Sequence, residues 1–286
     1  MSFFSNAHCH TRYCDGKNTP EEMVQAAQHL GFVSLGFSGH AQQGFGAPYA
    51  MEGDNQRQYR EELRAMQKKQ LAGGIGPRLW VGLEQDALVS PEQKKENRRD
   101  FDYILGSCHY IGTDSRGNPV SVDGSLDPLR AYLKEFHGGD ILALVKEYFD
   151  AHTSILLAEC PDIIGHFDLI RKHAVAQDLF DPESVAYRKV ALTALESLKD
   201  LPLSQTIMEV NTGGMARGFL EDPYPTWELL GAWREMGGQV TLTSDCHDAK
   251  WLDYAFAETL AKLKKLGYRQ LMRLGTGDSL WDTFAW

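Results

Sequence analysis

Histidines and carboxylates at short, repeated spacings are the first features of this 286-residue chain that could do chemistry. His8 and His10 stand two apart in an extended run, so both imidazoles leave the same face while Cys9 points away. Asp245 and His247 repeat that spacing, as do His166 and Asp168. Glu84, His40 and His109 each stand singly at or just after the end of a β-type run. Six of the ten histidines therefore fall at predicted strand ends, while His29, His137, His152 and His173 fall within or beside helices and read as surface residues. Imidazoles and carboxylates suit Zn, Fe or Mn, and a mixed set this large exceeds what one tetrahedral ion can use. More than one metal is implied.

The elements that must bring these residues together are strands and helices in alternation. Seven β-type runs are expected at 3–8, 33–37, 79–84, 101–107, 162–166, 206–211 and 239–244. Thr19, Pro20 and Glu22 mark the start of a first helix by a capping box, and Gly31 marks its stop. Longer amphipathic helices are expected at 141–157 and 185–198, and shorter ones at 227–236 and 254–266. Strand then helix, repeated, is the pattern of a parallel sheet, and in a parallel barrel the carboxyl ends of all strands share one face. Residues 41–76 are too long for a simple connection and read as an elaborated loop over one end, with a polar surface helix at 55–71. The length and a hydrophobic fraction of 43% allow one domain over residues 1–286.

A formal charge of -10 disfavours nucleic acid, because binding to a phosphate backbone needs a basic face. It still permits a small anionic substrate, since bound cations would reverse the sign locally. No apolar run reaches about 18 residues and no signal-peptide pattern opens the chain, so a cytosolic protein without a membrane span is expected. Cysteines 9, 14, 108, 160 and 246 are odd in number and lack CxxC spacing, and they read as reduced packing residues.

The segments HCHTRYCDG (8–16), SGHA (38–41), GLEQD (82–86), GSCHY (106–110), IGHFD (164–168) and SDCHD (244–248) resemble the ordered motifs of the PHP (polymerase and histidinol phosphatase) family. NTGGMARG (211–218) and IIGHFDLIRK (163–172) are similar to the histidinol-phosphatase branch. The resemblance implies an α/β fold, a distorted TIM-like (β/α)7 barrel, with a trinuclear centre. By it, His8, His10, Glu84 and Asp245 hold one metal, Glu84 bridges to a second held by His109 and His166, and Asp15, His40 and His247 hold the third. Two to three divalent ions, Zn, Fe or Mn, are the implied cofactors. Cys14 stands where serine is frequent and Gly39 where an acidic residue is frequent, and neither is expected to touch a ligand.

The implied activity is phosphomonoester hydrolysis, with L-histidinol phosphate as the expected small phosphorylated substrate and L-histidinol as the product, as in histidine biosynthesis. A hydroxide bridging two metals would attack phosphorus in line, so no serine or cysteine nucleophile is needed. Glu84 would position both ions, and Asp245 or His247 would return a proton to the leaving oxygen. Arg171 and Arg217 are the candidate substrate ligands, since an arginine fork fits phosphoryl oxygens. Glu52 or Asp54 are candidate contacts for the cationic end. Other phosphate esters, including nucleotides, an amidohydrolase-type reaction and a non-catalytic metal-binding module are the alternatives. Glu84, where amidohydrolases typically carry a carboxylated lysine, favours the phosphoesterase.

Overall fold

The structure, a computed structural model, describes residues 4–73, 75–176 and 179–286. Phe3, at the start of the first expected strand, and Gly74, within the expected 41–76 loop, lie outside the described residues. In chain order the strands are β1 (Ser5–Asn6), β2 (Ser34–Phe37), β3 (Arg78–Asp86), β4 (Tyr103–Ser107), β5 (Tyr110–Thr113) and β6 (Pro119–Ser121). They continue with β7 (Ile163–Ile164), β8 (Ile207–Asn211), β9 (Val240–Thr243), β10 (Gln270–Leu274) and β11 (Trp281–Ala285). The main sheet runs β1-β2-β3-β4-β7-β8-β9-β10-β11, parallel except for the antiparallel β10–β11 pair, and β5 and β6 form a separate hairpin.

All seven expected strands are present, as β1 to β4 and β7 to β9. Their ring is joined at the carboxyl end by one parallel bridge, Cys9 to Cys246, with His10 N donating to Cys246 O at 2.9 Å and Cys246 N to His8 O at 3.0 Å. At the opposite end β10 fills the gap between β9 and β1. There Leu274 N donates to Ser5 Oγ at 3.2 Å and Ser34 Oγ donates to Leu274 O at 2.6 Å. The first and seventh strands meet toward their carboxyl ends, where Asn6 Nδ2 also donates to Ser244 Oγ at 2.8 Å and the metal-ligand candidates follow.

A plug of buried side chains closes the interior beneath those candidates: Ala7, Trp80, Tyr103, Leu105, Ile163 and Leu274. Tyr103 can enter because its neighbours carry no Cβ. At Gly36 a Cβ would stand 2.3 Å from the Tyr103 hydroxyl, and at Gly82 2.3 Å from its ring. The hydroxyl lies 2.7 Å from Ala7 O. A large ring accepted by two strand glycines thus sets the floor of the site.

Helices follow the strands and pack against them, with Asn55–Leu71 against β3, Ile141–Glu159 against β4 and Phe256–Lys265 against β9. The capping box of Pro20–His29 forms as expected, Glu22 N donating to Thr19 Oγ1 at 3.2 Å and Thr19 N to Glu22 Oε2 at 2.9 Å. Among the described residues four helices escape the sequence reading, Pro91–Asp100, Leu126–His137 and the short Lys172–Ala176 and Gly213–Ala216. The first, PEQKKENRRD, has no apolar stripe to reveal it, although Ser90 caps it and Pro91 opens it.

Three expectations need correction. His152 and His173 are buried, not at the surface, because each faces inward from its helix. Cys160 is exposed, occupying a left-handed position that ends Ile141–Glu159, so it does not pack.

His152 lies beside the Tyr148 hydroxyl and Gly106 O, each at 3.5 Å. Burial, aided by the nearby His166, pushes its pKa down to about 4. An unfolded histidine titrates near ~6.5, so between about pH 6.5 and 4 the unfolded chain binds a proton that the folded chain refuses. Stability is therefore full above that window and falls as pH drops through it, by up to about 3 kcal/mol. Denaturant titrations of metal-free protein should show this acid slope, and His152→Gln should flatten it. An unchanged slope in the variant would assign the acid sensitivity elsewhere.

Candidate metal centre

The parallel topology carries nine candidate side chains to one end of the ring. His8 and His10 flank the bridge residue Cys9, and Asp245 and His247 flank its partner Cys246. His40 follows β2 and forms a parallel bridge with Glu84 of β3, His109 follows β4 and His166 follows β7. Asp15 is returned to His10 by a turn in which Cys14 N and Gly16 N donate to Thr11 O at 3.0 and 3.1 Å. Asp245 takes a left-handed φ of 47°, a costly backbone state for a residue with a Cβ and one that recurs at functional sites.

Glu84 is the hub, 2% exposed. Its Oε2 lies 2.9 Å from His40 Nδ1, 3.3 Å from His8 Nε2 and 3.5 Å from His10 Nε2. Its Oε1 lies 3.1 Å from His166 Nε2 and 3.5 Å from His109 Nε2, and accepts from Ser107 Oγ at 2.6 Å. Asp245 Oδ1 is 3.2 Å from His10 Nε2 and 3.5 Å from His8 Nε2. Asp15 Oδ2 is 3.2 Å from His247 Nε2, and Asp15 Oδ1 is 3.8 Å from His40 Nε2.

Ligand atoms within 4.8 Å of one another form four overlapping groups: His10, Asp15, His40 and His247; His8, Glu84 and His166; His8, His10 and Asp245; His40, Glu84 and His109. All nine residues named from the sequence are among them. The grouping differs from the one implied by the resemblance in that His10 also faces Asp15, at 3.5 Å through Nδ1, and His40 lies against Glu84 as well as Asp15. His8 Nε2, His10 Nε2 and Glu84 Oε2 are buried without a hydrogen-bond partner. Buried lone pairs left unmatched call for a cation, and a nitrogen and oxygen donor set fits divalent zinc, iron or manganese.

Protons alone serve this cluster badly. Burial works against charge at Glu84, His8, His109 and His10. It is overcome at Glu84, held well below the usual carboxylate range by His40, His8 and His109, and at His8, raised by Glu209, Asp245 and Glu84. His109 is likewise raised to about 10 against burial, by Glu84 and Asp86. His10, buried and facing His247 and His40, is pushed down to about 3. Its ring stacks on that of His247 at 4.0 Å between centroids.

The sequence reading misplaced several neighbours. Arg171, expected to bind substrate, is 5% exposed and turned away from the cluster, its Nε donating to Asp168 Oδ2 at 3.1 Å and its Nη2 to Pro223 O at 2.5 Å. The alternation argument fails for Asp168 because β7 ends at Ile164 and the chain has turned before residue 168, whose carboxylate accepts from Thr226 N at 3.0 Å. Glu52 is exposed and Asp54 pairs with Arg57. Neither lines the cavity above the cluster. Cys14 does touch a ligand, with Sγ 3.5 Å from His10 Nδ1. A Cβ at Gly39 would stand 3.2 Å from that same sulfur, so the two departures from the family pattern are neighbours, the glycine leaving room for the sulfur.

Arg217, the other arginine expected to bind substrate, lies beside the cluster. Its Nη2 lies 2.9 Å from Asp245 Oδ2, its Nη1 donates to Asp245 O at 3.2 Å, and it lines a cavity of about 650 Å³ over the cluster. The walls of that cavity include Tyr49 of the 41–76 insertion, Tyr110 and Ser121 of the β5–β6 hairpin, Asp123, Lys172, Phe219 and Tyr224. Two acidic residues escaped notice in the sequence. Asp86 Oδ2 is 2.8 Å from His109 Nδ1, and Glu209 Oε2 is 2.8 Å from His8 Nδ1. Asp86 was legible as the same-face partner of Glu84, two residues on; a glutamate inside the apolar run IMEVN was the cue for Glu209.

Among the described residues no helix is long and apolar enough to cross a membrane. The chain is 29% identical over 275 residues to the "probable histidinol-phosphatase" of Deinococcus radiodurans, covering 94% of this chain and 96% of that relative. A crystal structure of the hisK protein of Listeria monocytogenes superposes with a TM-score of 0.70 at 18% identity, covering 88% of this chain and 98% of the other. The histidinol phosphate phosphatase of Lactococcus lactis, crystallised with zinc, L-histidinol and phosphate, superposes with a TM-score of 0.67 at 21% identity, covering 95% and 96%. Residues 6–213 match the PHP domain, most of the chain. With the ligand motifs in order and gathered at one end of a parallel sheet, the chain belongs to the PHP domain family.

Proposed function

We propose that this protein is a metal-dependent phosphomonoesterase that hydrolyses L-histidinol phosphate to L-histidinol and phosphate, at a centre of two to three divalent ions. The observation that carries the reading is a nine-residue nitrogen and oxygen ligand set, seven of its members buried, at the floor of a cavity whose walls offer both cations and a carboxylate outside that set. The relatives named as histidinol-phosphatases, and the Lactococcus structure holding zinc, L-histidinol and phosphate, support it.

In this reading His8, His10, Asp15, His40, Glu84, His109, His166, Asp245 and His247 hold the metals. Bound divalent ions supply positive charge for the phosphoryl oxygens and lower the pKa of water toward about 7. The protein's part is to bind, orient and move a proton. Arg217, fixed by Asp245, presents its guanidinium to a phosphoryl oxygen from one wall, and Lys172 presents its ammonium from another. Asp245 is a poor acid, because Arg217 and His8 hold its carboxyl well below the usual range in spite of burial. His247, raised against burial by Asp15 and Asp245, is the better donor to the leaving oxygen when only two ions are bound.

Asp123 is the cavity carboxylate that falls in none of the ligand groups; Ser121 Oγ donates to it at 3.0 Å and Lys172 Nζ lies 3.5 Å away. It is suited to the cationic end of the substrate, with Tyr49, Tyr110, Phe219 and Tyr224 offering aromatic faces to an imidazole. The whole chain acting as one domain is supported by β9 to β11, beyond the matched residues, lying in the same sheet. Free cysteines support a reducing, cytosolic location.

Plasma emission spectrometry should find about two to three equivalents of Zn, Fe or Mn in purified protein. Glu84→Ala should lower kcat by more than ~100-fold with the fold retained, since one carboxylate orients both neighbouring ions. Protein carrying only magnesium, or full turnover in the variant, would contradict the site.

A phosphate-release screen across histidinol phosphate, nucleoside monophosphates, sugar phosphates and an oligonucleotide should favour histidinol phosphate in kcat/KM. Asp123→Asn should raise KM for it about tenfold or more, from the loss of a charge-assisted contact, while a simple alkyl phosphate is unaffected. Equal turnover of all esters would remove the proposed substrate but leave the metal chemistry standing.

A further inference from the structure

We propose that Glu209 is a positioning residue that sets the tautomer of His8 and ties three ligand-bearing strands into one rigid unit, an inference that rests on the metal-centre reading above. Glu209 lies in β8, is fully buried and falls in none of the ligand groups. Each of its oxygens accepts two hydrogen bonds. Oε1 receives His166 N at 2.6 Å and Asn211 Nδ2 at 2.9 Å, and Oε2 receives His8 Nδ1 at 2.8 Å and Thr243 Oγ1 at 2.7 Å.

The direction of both bonds to Oε1 follows from the partners, and that of both bonds to Oε2 from Glu209 being a carboxylate, which has no proton to give. A backbone N–H and an amide NH2 can only donate, and Asn211 is oriented by Gly213 N, which donates to its Oδ1 at 2.8 Å. With both oxygens acting solely as acceptors, His8 must carry its proton on Nδ1. In the neutral ring that a metal requires, Nε2 is then the nitrogen with the lone pair, and it is the buried nitrogen without a hydrogen-bond partner, 3.3 Å from Glu84 and 3.5 Å from Asp245. A carboxylate on the far nitrogen of a metal-binding histidine fixes ring orientation and raises ligand basicity.

Its mechanical role is as specific. β8 is hydrogen-bonded to β7 and β9 but not to β1, so the Glu209 side chain reaches across the interior to a ligand strand that β8 does not pair with. It thereby joins His8, the backbone that carries His166, and Thr243, two residues before Asp245. A glutamine has the same shape but only one acceptor oxygen, so its NH2 would either confront two donors at His166 N and Asn211 Nδ2 or require His8 Nδ1 to give up its proton and accept. No amide can replace this carboxylate without changing the tautomer of His8 or releasing a strand.

The test uses zinc as the probe, with no phosphate ester present. Glu209→Gln should lower zinc affinity about 10–100-fold, by competition with a chromophoric chelator, with far-UV circular dichroism retained. Glu209→Asp, which keeps the carboxylate, should recover part of the loss. Nitrogen-15 NMR of zinc-loaded wild-type protein should show His8 with a protected Nδ1–H and zinc on Nε2. Unchanged zinc affinity in the glutamine variant overturns the proposal. So does zinc bound through Nδ1 of His8 in the wild type, a result that stands even if the variant does not fold. Neither readout depends on substrate identity, and wild-type protein that binds no zinc would sink the underlying reading instead.

Discussion

Charge balance in a dry interior governs this structure. A carboxylate with almost no exposed surface can stay ionised only if cations or hydrogen-bond donors surround it, since stripping its water costs several kcal/mol. Glu84 is such a group, with five imidazoles within 3.5 Å of its two oxygens. Protons cannot satisfy all five together, because adjacent imidazolium ions repel; burial, with His247 and His40 beside it, drives His10 down, while Glu84 and Asp86 hold His109 up against burial. Divalent ions answer the same demand without that conflict. Each accepts lone pairs from several imidazoles and carboxylates at once.

The fold meets this demand by geometry. Parallel strands deliver their carboxyl ends to one face, and the Cys9–Cys246 bridge draws the first and seventh strands together at the position where both flanking residues of each cysteine are candidate ligands. The Tyr103 plug beneath the cluster, admitted by Gly36 and Gly82, keeps the interior closed from the other end. Above it the hairpin and the insertion raise walls of mixed polarity. Rigid floor and elaborated rim divide the work between a constant chemistry and a substrate-reading surface.

The residues beyond the ligands show how closely that floor is held. Glu209 and Asp86 each anchor the distal nitrogen of a ligand histidine at 2.8 Å, and Arg217 does the same for Asp245 at 2.9 Å. The Cys14 and Gly39 pair is a local accommodation. A larger side chain at 39 would meet the sulfur at 14, so a change at either place constrains the other.

Much of this was legible in the amino-acid order. Period-two spacing at His8 and His10 and at Asp245 and His247, strand-end placement of Glu84, His40, His109 and His166, and the capping box at Thr19 are local patterns whose physical meaning does not depend on distant contacts. What local pattern could not decide was direction once regular structure stops. The HxD at 166–168 turns Asp168 and Arg171 away because β7 is only two residues long, and His152 faces inward although its helix reads as amphipathic. The insertion of β10 between the ends of β9 and β1, and the reach of Glu209 across the interior to His8, depend on residues separated by some two hundred positions. Such pairings are set by packing of the whole ring, and for that reason only the tertiary structure decided them.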